Sequence, residues 1–281
     1  MAPHRLNKAR FFCPSMPIFA PMAWENILLA LFIGLSTGFI NTLAGSGSLI
    51  TLPFLIFLGL PANVANGTNR VSILLASFIG MITLQRKTQM SLKGTYIYVI
   101  PAVLSAMGGA WLAAELQANV MQTVIGVVMT VMLIPLLLNP KRWLREVQGH
   151  QDPKLRPLLI AIVVAIGFYG GFIQAGMGVI FLTAFVLIAN YTLPQANVLK
   201  NLIVFLYTIP VLGIFIYNDQ VDWEIGGIMA LGQGTGAWIA GTFAGKSKRA
   251  AVWIHRLLIV MVIASALKLF GIFDWFMAYL N

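Results

Sequence analysis

The sequence predicts an all-α integral membrane protein with about eight to ten membrane segments in two inverted repeats, each with a glycine-broken helix or helical hairpin. Three observations predict this fold. The composition is 59% hydrophobic and 9% charged, long apolar runs follow one another along the chain, and two glycine-rich interruptions occur at corresponding places in the two halves. Soluble proteins carry about 25% charged residues, so the composition by itself indicates a membrane protein.

Ten apolar runs are separated by short polar loops. They cover roughly 26–44, 48–60, 66–85, 94–113, 119–139, 157–175, 178–190, 197–217, 225–244 and 256–273. A helix needs about 20 residues to cross the hydrocarbon core, and the second run of each half is shorter. That run is therefore either a half-helix or a tilted, partial crossing, and the sequence leaves both open.

The distribution of Lys and Arg predicts the topology, because cytoplasmic loops retain these residues. Three basic loops, around Lys87, Arg142 and Lys248, are predicted to be cytoplasmic. The intervening loops are acidic or neutral and are predicted to lie outside; Arg5, Lys8 and Arg10 in the short N-terminal tail disagree and receive less weight. Each half then has an odd number of segments, so the halves are inverted, as in many secondary transporters.

The chain accordingly divides into an N-terminal tail (1–25), membrane repeat 1 (26–139), a basic cytoplasmic linker (140–156) and membrane repeat 2 (157–281). Gly38 matches Gly167 at an offset of 129, and Gly45 matches Gly176 at 131, so the second copy has about two extra residues in its break. Residues 65–70 match 196–201 at the same offset of 131. A register that holds across two motifs indicates a duplication.

The two breaks predict a substrate site and hence a transporter. An unpaired backbone amide in lipid costs several kcal/mol, so a break at membrane depth is tolerated where protein or a wet cavity takes up the freed groups. A helix that restarts after such a break presents free N–H groups and a dipole end equivalent to about +0.5 charge. We expect the restarts after Gly47 and Gly178 to face one another and to bind an anion.

The candidate substrate-binding residues lie in the breaks and on the third segment of each repeat. Glycine permits close approach of the ligand, and hydroxyl and amide side chains donate hydrogen bonds. Two cations lie inside membrane runs, where each costs about 2.5–3.5 kcal/mol and no membrane run holds an acid. The set is Asn41, Gly45, Ser46, Gly47, Ser48, Thr51, Thr68, Asn69, Arg70, Gln174, Gly176, Gly178, Lys200 and Asn201.

Each feature also has a structural explanation. Arg70 and Lys200 could extend to the lipid headgroups, and Gln233 could make an interhelical hydrogen bond. Asn66, Thr68, Asn69 and Asn201 could cap helix starts. Close helix packing is the expected role of Gly34, Gly38, Gly108, Gly109, Gly241 and Gly245.

Several motifs occur in a characteristic order: Gly38-Phe39-Ile40-Asn41, Gly45-Ser46-Gly47, Ala65-Asn66-Gly67-Thr68-Asn69-Arg70 and Gly167-Phe168-Tyr169-Gly170-Gly171-Phe172. From about Trp24 to Phe270 the chain resembles the TauE/SafE sulfite exporter family, also called TSUP. The resemblance implies a polytopic carrier for small sulfur-containing or organic anions, such as sulfite, thiosulfate or sulfonates, with no cofactor.

The chain departs from the family pattern at both motif aspartates, which are replaced by Asn41 and Gly170. Proton-coupled carriers usually hold a titratable group within the membrane. Outward movement of a monovalent anion gains about 2.3 kcal/mol per 100 mV, so export needs no coupling ion. The sequence predicts an exporter working by uniport; an importer coupled to another ion, such as Na⁺ held by backbone carbonyls, is the alternative.

Other function classes fit less well. The membrane runs contain no His, Asp, Glu or Cys for catalysis, so we expect neither an enzyme nor a metal site. The net charge of +10 comes from short loops between apolar runs, which does not indicate a nucleic-acid partner. The expected partners are a small anionic substrate and the lipid bilayer of the cell (inner) membrane. A non-transporting scaffold or signalling subunit remains an alternative, and the oligomeric state is left open.

Overall fold

The structure, a computed structural model, describes residues 24–88, 90–137 and 156–243. The predicted run at 256–273 and most of the predicted tail and linker lie outside these ranges. The described residues are helical and contain no strand, which confirms the all-α class. The helices are α1 (Trp24–Ala44), α2 (Ser48–Phe57), α3 (Ala62–Thr88), α4 (Tyr96–Glu115), α5 (Ala118–Leu137), α6 (Arg156–Phe172), α7 (Met177–Thr183), α8 (Leu193–Tyr217) and α9 (Trp223–Phe243).

Helices α1, α3, α4 and α8 are long and apolar enough to cross a membrane. The outward faces of these helices and of α9 carry large apolar side chains, which an integral membrane protein presents to lipid rather than to water. Examples that are more than half exposed are Phe32 on α1, Leu104 and Trp111 on α4 and Leu231 on α9. The fold is that of an all-α integral membrane protein.

The second element of each half is too short to span the bilayer. Helix α2 has 10 residues, and α7 has 7 followed by a π-helical segment of 5, Ala184–Ile188. At about 1.5 Å per residue these elements are about 15–18 Å long, against a hydrocarbon core of about 30 Å. Both possibilities that the sequence left open, a half-helix and a tilted, partial crossing, agree with this length.

The helix contacts repeat when the two halves are exchanged. Helix α1 packs along α9 and α6 packs along α4; α3 packs on α9 and α8 packs on α4; α3 and α8 pack on each other. Exchange of α1 with α6, α3 with α8, and α4 with α9 leaves this pattern unchanged. Two repeats related by a pseudo-two-fold axis give such a pattern, which supports the predicted duplication, although the proposed domain limits remain a prediction.

Glycines bring the paired helices into contact. A methyl group added at Gly38 on α1 would lie 2.1 Å from the carbonyl oxygen of Gln233 on α9, and one at Gly171 on α6 would lie 1.9 Å from that of Ala106 on α4. The expected packing role is confirmed for Gly34, Gly38, Gly109 and Gly241. A methyl group added at Gly108 would have no neighbour closer than 3.8 Å. Gly245 lies outside the described residues.

Loops that were predicted to share a membrane side lie together. The side chain of Lys87 donates to the carbonyl of Thr242, at the end of α9 that leads to the third basic loop. At the opposite ends of these helices, Gln220 Nε2 donates to the carbonyl of Ala114 at 2.8 Å, beside the acidic residue Glu115. These contacts agree with the predicted grouping of the loops, which stays a prediction together with the identity of the cytoplasmic side; the central basic loop lies outside the described residues.

Candidate functional site

The first break is the tip of a helical hairpin. Helix α1 ends at Ala44; the next residue, Gly45, has a φ of +73°, and its amide donates to the carbonyl of Asn41 at 2.9 Å. This left-handed conformation suits glycine. A methyl group at Gly47 would lie 2.4 Å from the carbonyl oxygen of Thr37. The chain therefore reverses, and α2 begins beside the last turns of α1.

The second break has a related conformation. Gly176 precedes α7 with a φ of +71°, so it matches Gly45 in conformation as well as in sequence. Gln174 also has a positive φ, of +57°, which is uncommon for a residue with a side chain. The hydroxyl of Tyr169 donates to the carbonyl of Ala175 and fixes the loop to the end of α6.

The two breaks touch. The amide of Gly178 donates to the carbonyl of Gly45 at 3.1 Å. A methyl group on either residue would lie 2.3 Å from the Cα of the other, so the approach requires glycine on both sides. The breaks therefore meet through the residue after α1 and the second residue of α7, which begins at Met177 rather than after Gly178; that the two restarts face each other stays a prediction. We call this contact, Gly45 with Gly178, the hairpin crossing.

Arg70 of α3 binds the end of α6 and the second break. Its side chain is fully buried. Nη1 donates to the carbonyl of Gly170 at 2.6 Å and to Oε1 of Gln174, and Nη2 donates to the carbonyl of Gly171 at 2.9 Å and to Oδ1 of Asn66 at 3.1 Å. Nε has no partner among the described residues. The guanidinium also lies over the Phe215 ring, 5.5 Å from its centre.

Lys200 of α8 binds the end of α1 in the same manner. Its ammonium group donates to the carbonyls of Asn41 at 2.8 Å and Thr42 at 2.9 Å, and to Oδ1 of Asn197 at 3.1 Å. All three ammonium hydrogens therefore have an acceptor. Since Arg70 and Lys200 are 0% and 1% exposed, the suggestion that they extend to the headgroups is wrong.

These contacts follow the register of the repeats. The carbonyls of 41 and 42 correspond to those of 170 and 171 at the offset of 129, and Asn66 corresponds to Asn197 at 131. Two extra residues of the second copy lie between its bound carbonyls and Gly176, as predicted. The negative end of a helix dipole stabilises a cation, so helix ends compensate the two cations where no acid is near.

Several buried polar atoms of the predicted site residues have no hydrogen-bond partner among the described residues. They include Oγ of Ser46, both amide atoms of Asn69 and Nε of Arg70. Ser46 and Asn69 are 0% and 1% exposed. A buried polar group without a partner costs about 1–3 kcal/mol, so such groups indicate where a ligand or water binds.

The other predicted site residues are mostly brought to the same region. Thr51 donates to the carbonyl of Gly47 at 3.3 Å and accepts from Nε2 of Gln233 at 3.3 Å, which confirms the interhelical hydrogen bond of Gln233. Asn201 Nδ2 donates to the carbonyl of its own helix at Asn197 at 2.8 Å and lies 3.5 Å from that of Thr42. Ser48 is buried in the first turn of α2.

Thr68 is the exception. Its hydroxyl accepts a hydrogen bond of 2.9 Å from the amide of Asp222, in the loop between α8 and α9. The two restarts also differ. Helix α7 has 7 residues, and its second amide, that of Gly178, is already bonded across the hairpin crossing, whereas α2 is longer and follows the unpartnered hydroxyl of Ser46.

Sequence reasoning missed three side chains of this region. Tyr207 is fully buried with its hydroxyl 3.7 Å from Sδ of Met177, and a methyl group at Gly170 would lie 3.0 Å from that hydroxyl. Asn197 and Phe215 contact the cations. The match of Asn197 to Asn66 in the repeat register was a usable signal for the first of these contacts; nothing in the sequence marks the aromatic ones.

Acidic residues are kept away from this region. Within the described ranges they stand at helix ends or in loops, exposed or half-buried: Glu25, Glu115, Asp219, Asp222 and Glu224. In the same part of the chain, no group of three or more His, Cys, Asp or Glu side chains could hold a metal ion.

Comparisons with known proteins agree on the class. The family model for sulfite exporter TauE/SafE matches residues 30–269. A probable membrane transporter protein, ORF9, of Sinorhizobium is 27% identical over 245 residues, which cover 87% of this chain and 92% of the relative. The probable membrane transporter protein YfcA of Escherichia coli is 29% identical over 211 residues, covering 73% and 76%. No solved structure matches the chain significantly.

Proposed function

Because the chain belongs to the sulfite exporter TauE/SafE family of membrane transporters, we propose that it exports a small sulfur-containing or organic oxyanion of the sulfite, thiosulfate or sulfonate type. The multi-pass membrane fold and the transporter class come with the family and the apolar helices. The anion, the outward direction and the cell (inner) membrane location are our proposal.

The unpartnered donors of the predicted site residues carry this proposal. Ser46 Oγ and Asn69 Nδ2 are buried, lack partners among the described residues and can each donate a hydrogen bond. The amides of Leu49, Ile50 and Thr51 in the first turn of α2 already donate to the carbonyls of Ser46 and Gly47, so side chains supply the free donors of this region. Hydrogen-bond donors without acceptors, placed at a helix N-terminus, suit an oxyanion.

The charges of the site favour the same ligand. Arg70 and Lys200 are both buried, and their bonded partners in the described ranges are carbonyl and amide oxygens rather than carboxylates. The region therefore carries net positive charge, which in a low dielectric attracts an anion strongly. We keep the predicted set as the proposed substrate site, with Arg70 and Lys200 supplying its charge and Asn201 supporting it rather than contacting the anion, and leave out Thr68.

Export by uniport follows from the energetics. The membrane potential favours outward movement of an anion by about 2.3 kcal/mol per charge per 100 mV. Sodium-coupled uptake would need free carbonyl oxygens at the breaks. The carbonyls that end α1 and α6 instead bind Lys200 and Arg70, which speaks against this alternative.

The test is ligand binding by the purified full-length protein. We expect methanesulfonate and thiosulfate at millimolar concentration to raise the melting temperature in detergent, whereas the cation choline has no effect. The variant Ser46→Ala should show a smaller shift at each ligand concentration. Absence of any shift with all oxyanions, or an equal shift with choline, would contradict an anion site.

A further inference from the structure

Arg70 and Lys200 meet the same need in the two repeats. Helices α1 and α6 end inside the protein, and the last carbonyl groups of a helix have no partner within it. A buried carbonyl without a donor destabilises the fold. The cation on the third helix of one repeat binds two carbonyls at the end of the first helix of the other repeat; of these four carbonyls, that of Asn41 also accepts from the amide of Gly45 at 2.9 Å.

The two cations nevertheless come from different positions of the repeat. In the register that aligns Asn66 with Asn197, Arg70 corresponds to Asn201 and Asn69 corresponds to Lys200. The order is asparagine then cation in repeat 1, and cation then asparagine in repeat 2. Both orders deliver a cation to equivalent carbonyl pairs.

The asparagines of the two pairs differ in their bonding. Asn201 donates to the carbonyl of Asn197 and approaches that of Thr42, so it helps to hold the end of α1. Asn69 has no partner for either amide atom among the described residues, although it is 1% exposed. Repeat 1 therefore leaves an amide available that repeat 2 uses in the fold.

We propose that Arg70 and Lys200 are positioning residues that cap the first helix of the opposite repeat, and that Asn69 is the member of the two pairs that contacts the ligand. The capping part stands without any assumption about the substrate. The role of Asn69 rests on the proposed anion transport. The caps hold the ends of α1 and α6 so that the hairpins meet at Gly45 and Gly178.

The experiment exchanges the order of one pair. Arg70→Asn removes the cap, and Asn69→Lys combined with Arg70→Asn gives repeat 1 the Lys-Asn order of repeat 2. Asn69→Ala removes the amide alone. Ser77→Ala on the same helix is the control, because the Ser77 hydroxyl is buried and donates to the carbonyl of Ile73 within α3.

Melting temperature reads out the caps. We expect Arg70→Asn to lower the melting temperature by roughly 5 °C or more. The loss of one ordinary interaction lowers the melting temperature of a protein of this size by about 2–4 °C, and this variant leaves two buried carbonyls without their cap. The double variant should recover at least half of the loss. If Arg70→Asn does not yield a monodisperse protein, a monodisperse double variant is the rescue. No recovery in the double variant would overturn the capping role.

Methanesulfonate flux in proteoliposomes reads out Asn69. We expect Asn69→Ala to keep the parent melting temperature and to raise KM about tenfold or more, and the double variant to share this high KM although its stability is restored. A parent KM in Asn69→Ala would overturn the ligand contact. If the parent itself carries no oxyanion, the proposed function fails, while the recovery of melting temperature still decides the capping role.

Discussion

The amide of Gly178 donates a hydrogen bond of 3.1 Å to the carbonyl of Gly45, and this contact joins the two broken helices. A methyl group added to either residue would lie 2.3 Å from the Cα of the other. One glycine belongs to repeat 1 and the other to repeat 2, so the site is formed by both halves of the chain together. Substitutions on either side of this contact should therefore affect the whole region.

We predict that Gly178→Ala lowers both stability and transport, because its methyl group would meet backbone atoms of Gly45 that cannot move aside alone. Gly213→Ala is the matched control: Gly213 is also helical, on α8, and has nothing within 4 Å of the added methyl group. The control should keep or raise the melting temperature, since alanine is favoured over glycine in helices. Equal melting temperatures for the two variants would show that the contact is not formed.

We predict that Ser46→Ala weakens substrate affinity with little loss of stability. The hydroxyl is buried without a partner among the described residues, so its removal breaks no bond in the fold. A hydrogen bond to a charged group contributes about 1.5–3 kcal/mol, which corresponds to a rise in KM of roughly ten- to a hundredfold. The flux of methanesulfonate into proteoliposomes measures this KM. An unchanged KM would remove Ser46 from the site.

We predict that Asn41→Asp introduces a pH dependence. The main-chain carbonyl of Asn41 accepts a hydrogen bond from Lys200 at 2.8 Å. The Cβ atom of Asn41 lies 2.9 Å from where a methyl group at Gly47 would stand, just before α2 begins. A carboxylate there would neutralise Lys200 and repel the anion when ionised, so flux should fall at neutral pH and recover as acidification protonates the group. Asn119→Asp, on the exposed surface of α5, controls for added charge. Equal pH profiles for the two variants would contradict this placement.

The topology also makes a prediction. In a Cys13→Ser background, Asn218→Cys should react with an impermeant thiol reagent from outside intact cells, whereas Lys93→Cys should react only after the cells are permeabilised. Both positions are exposed, so access to the reagent rather than burial decides the result. Labelling of Lys93→Cys from outside would reverse the predicted orientation of the membrane segments.

The helices were predictable from sequence because hydrophobic runs and glycine breaks have local signatures. The predicted run 94–113 corresponds to α4 (Tyr96–Glu115), and the repeat register places Gly45 and Gly176 in the same left-handed conformation. These properties depend on a few neighbouring residues. The register of the duplication then identifies which segments of the two repeats correspond.

The bonding within the site was not predictable in the same way. Arg70 and Lys200 were recognised as buried cations, but their partners are main-chain carbonyls, which every residue has and no side chain identifies. Thr68 belongs to a motif with Asn69 and Arg70 yet points to the loop at Asp222, because successive helical residues face directions about 100° apart. Tertiary contacts decide such roles.

Electrogenic flux in proteoliposomes tests the proposed anion uniport most directly. A potassium diffusion potential should drive methanesulfonate toward the positive side, because an anion that moves without a coupled ion carries net charge. The acids of the described residues stand at helix ends or in loops, so none is placed to carry a proton through the buried region. A pH gradient imposed at zero potential should leave the flux at the level of protein-free liposomes. Accumulation of the anion in response to the pH gradient alone, with no response to the potential, would contradict transport by uniport.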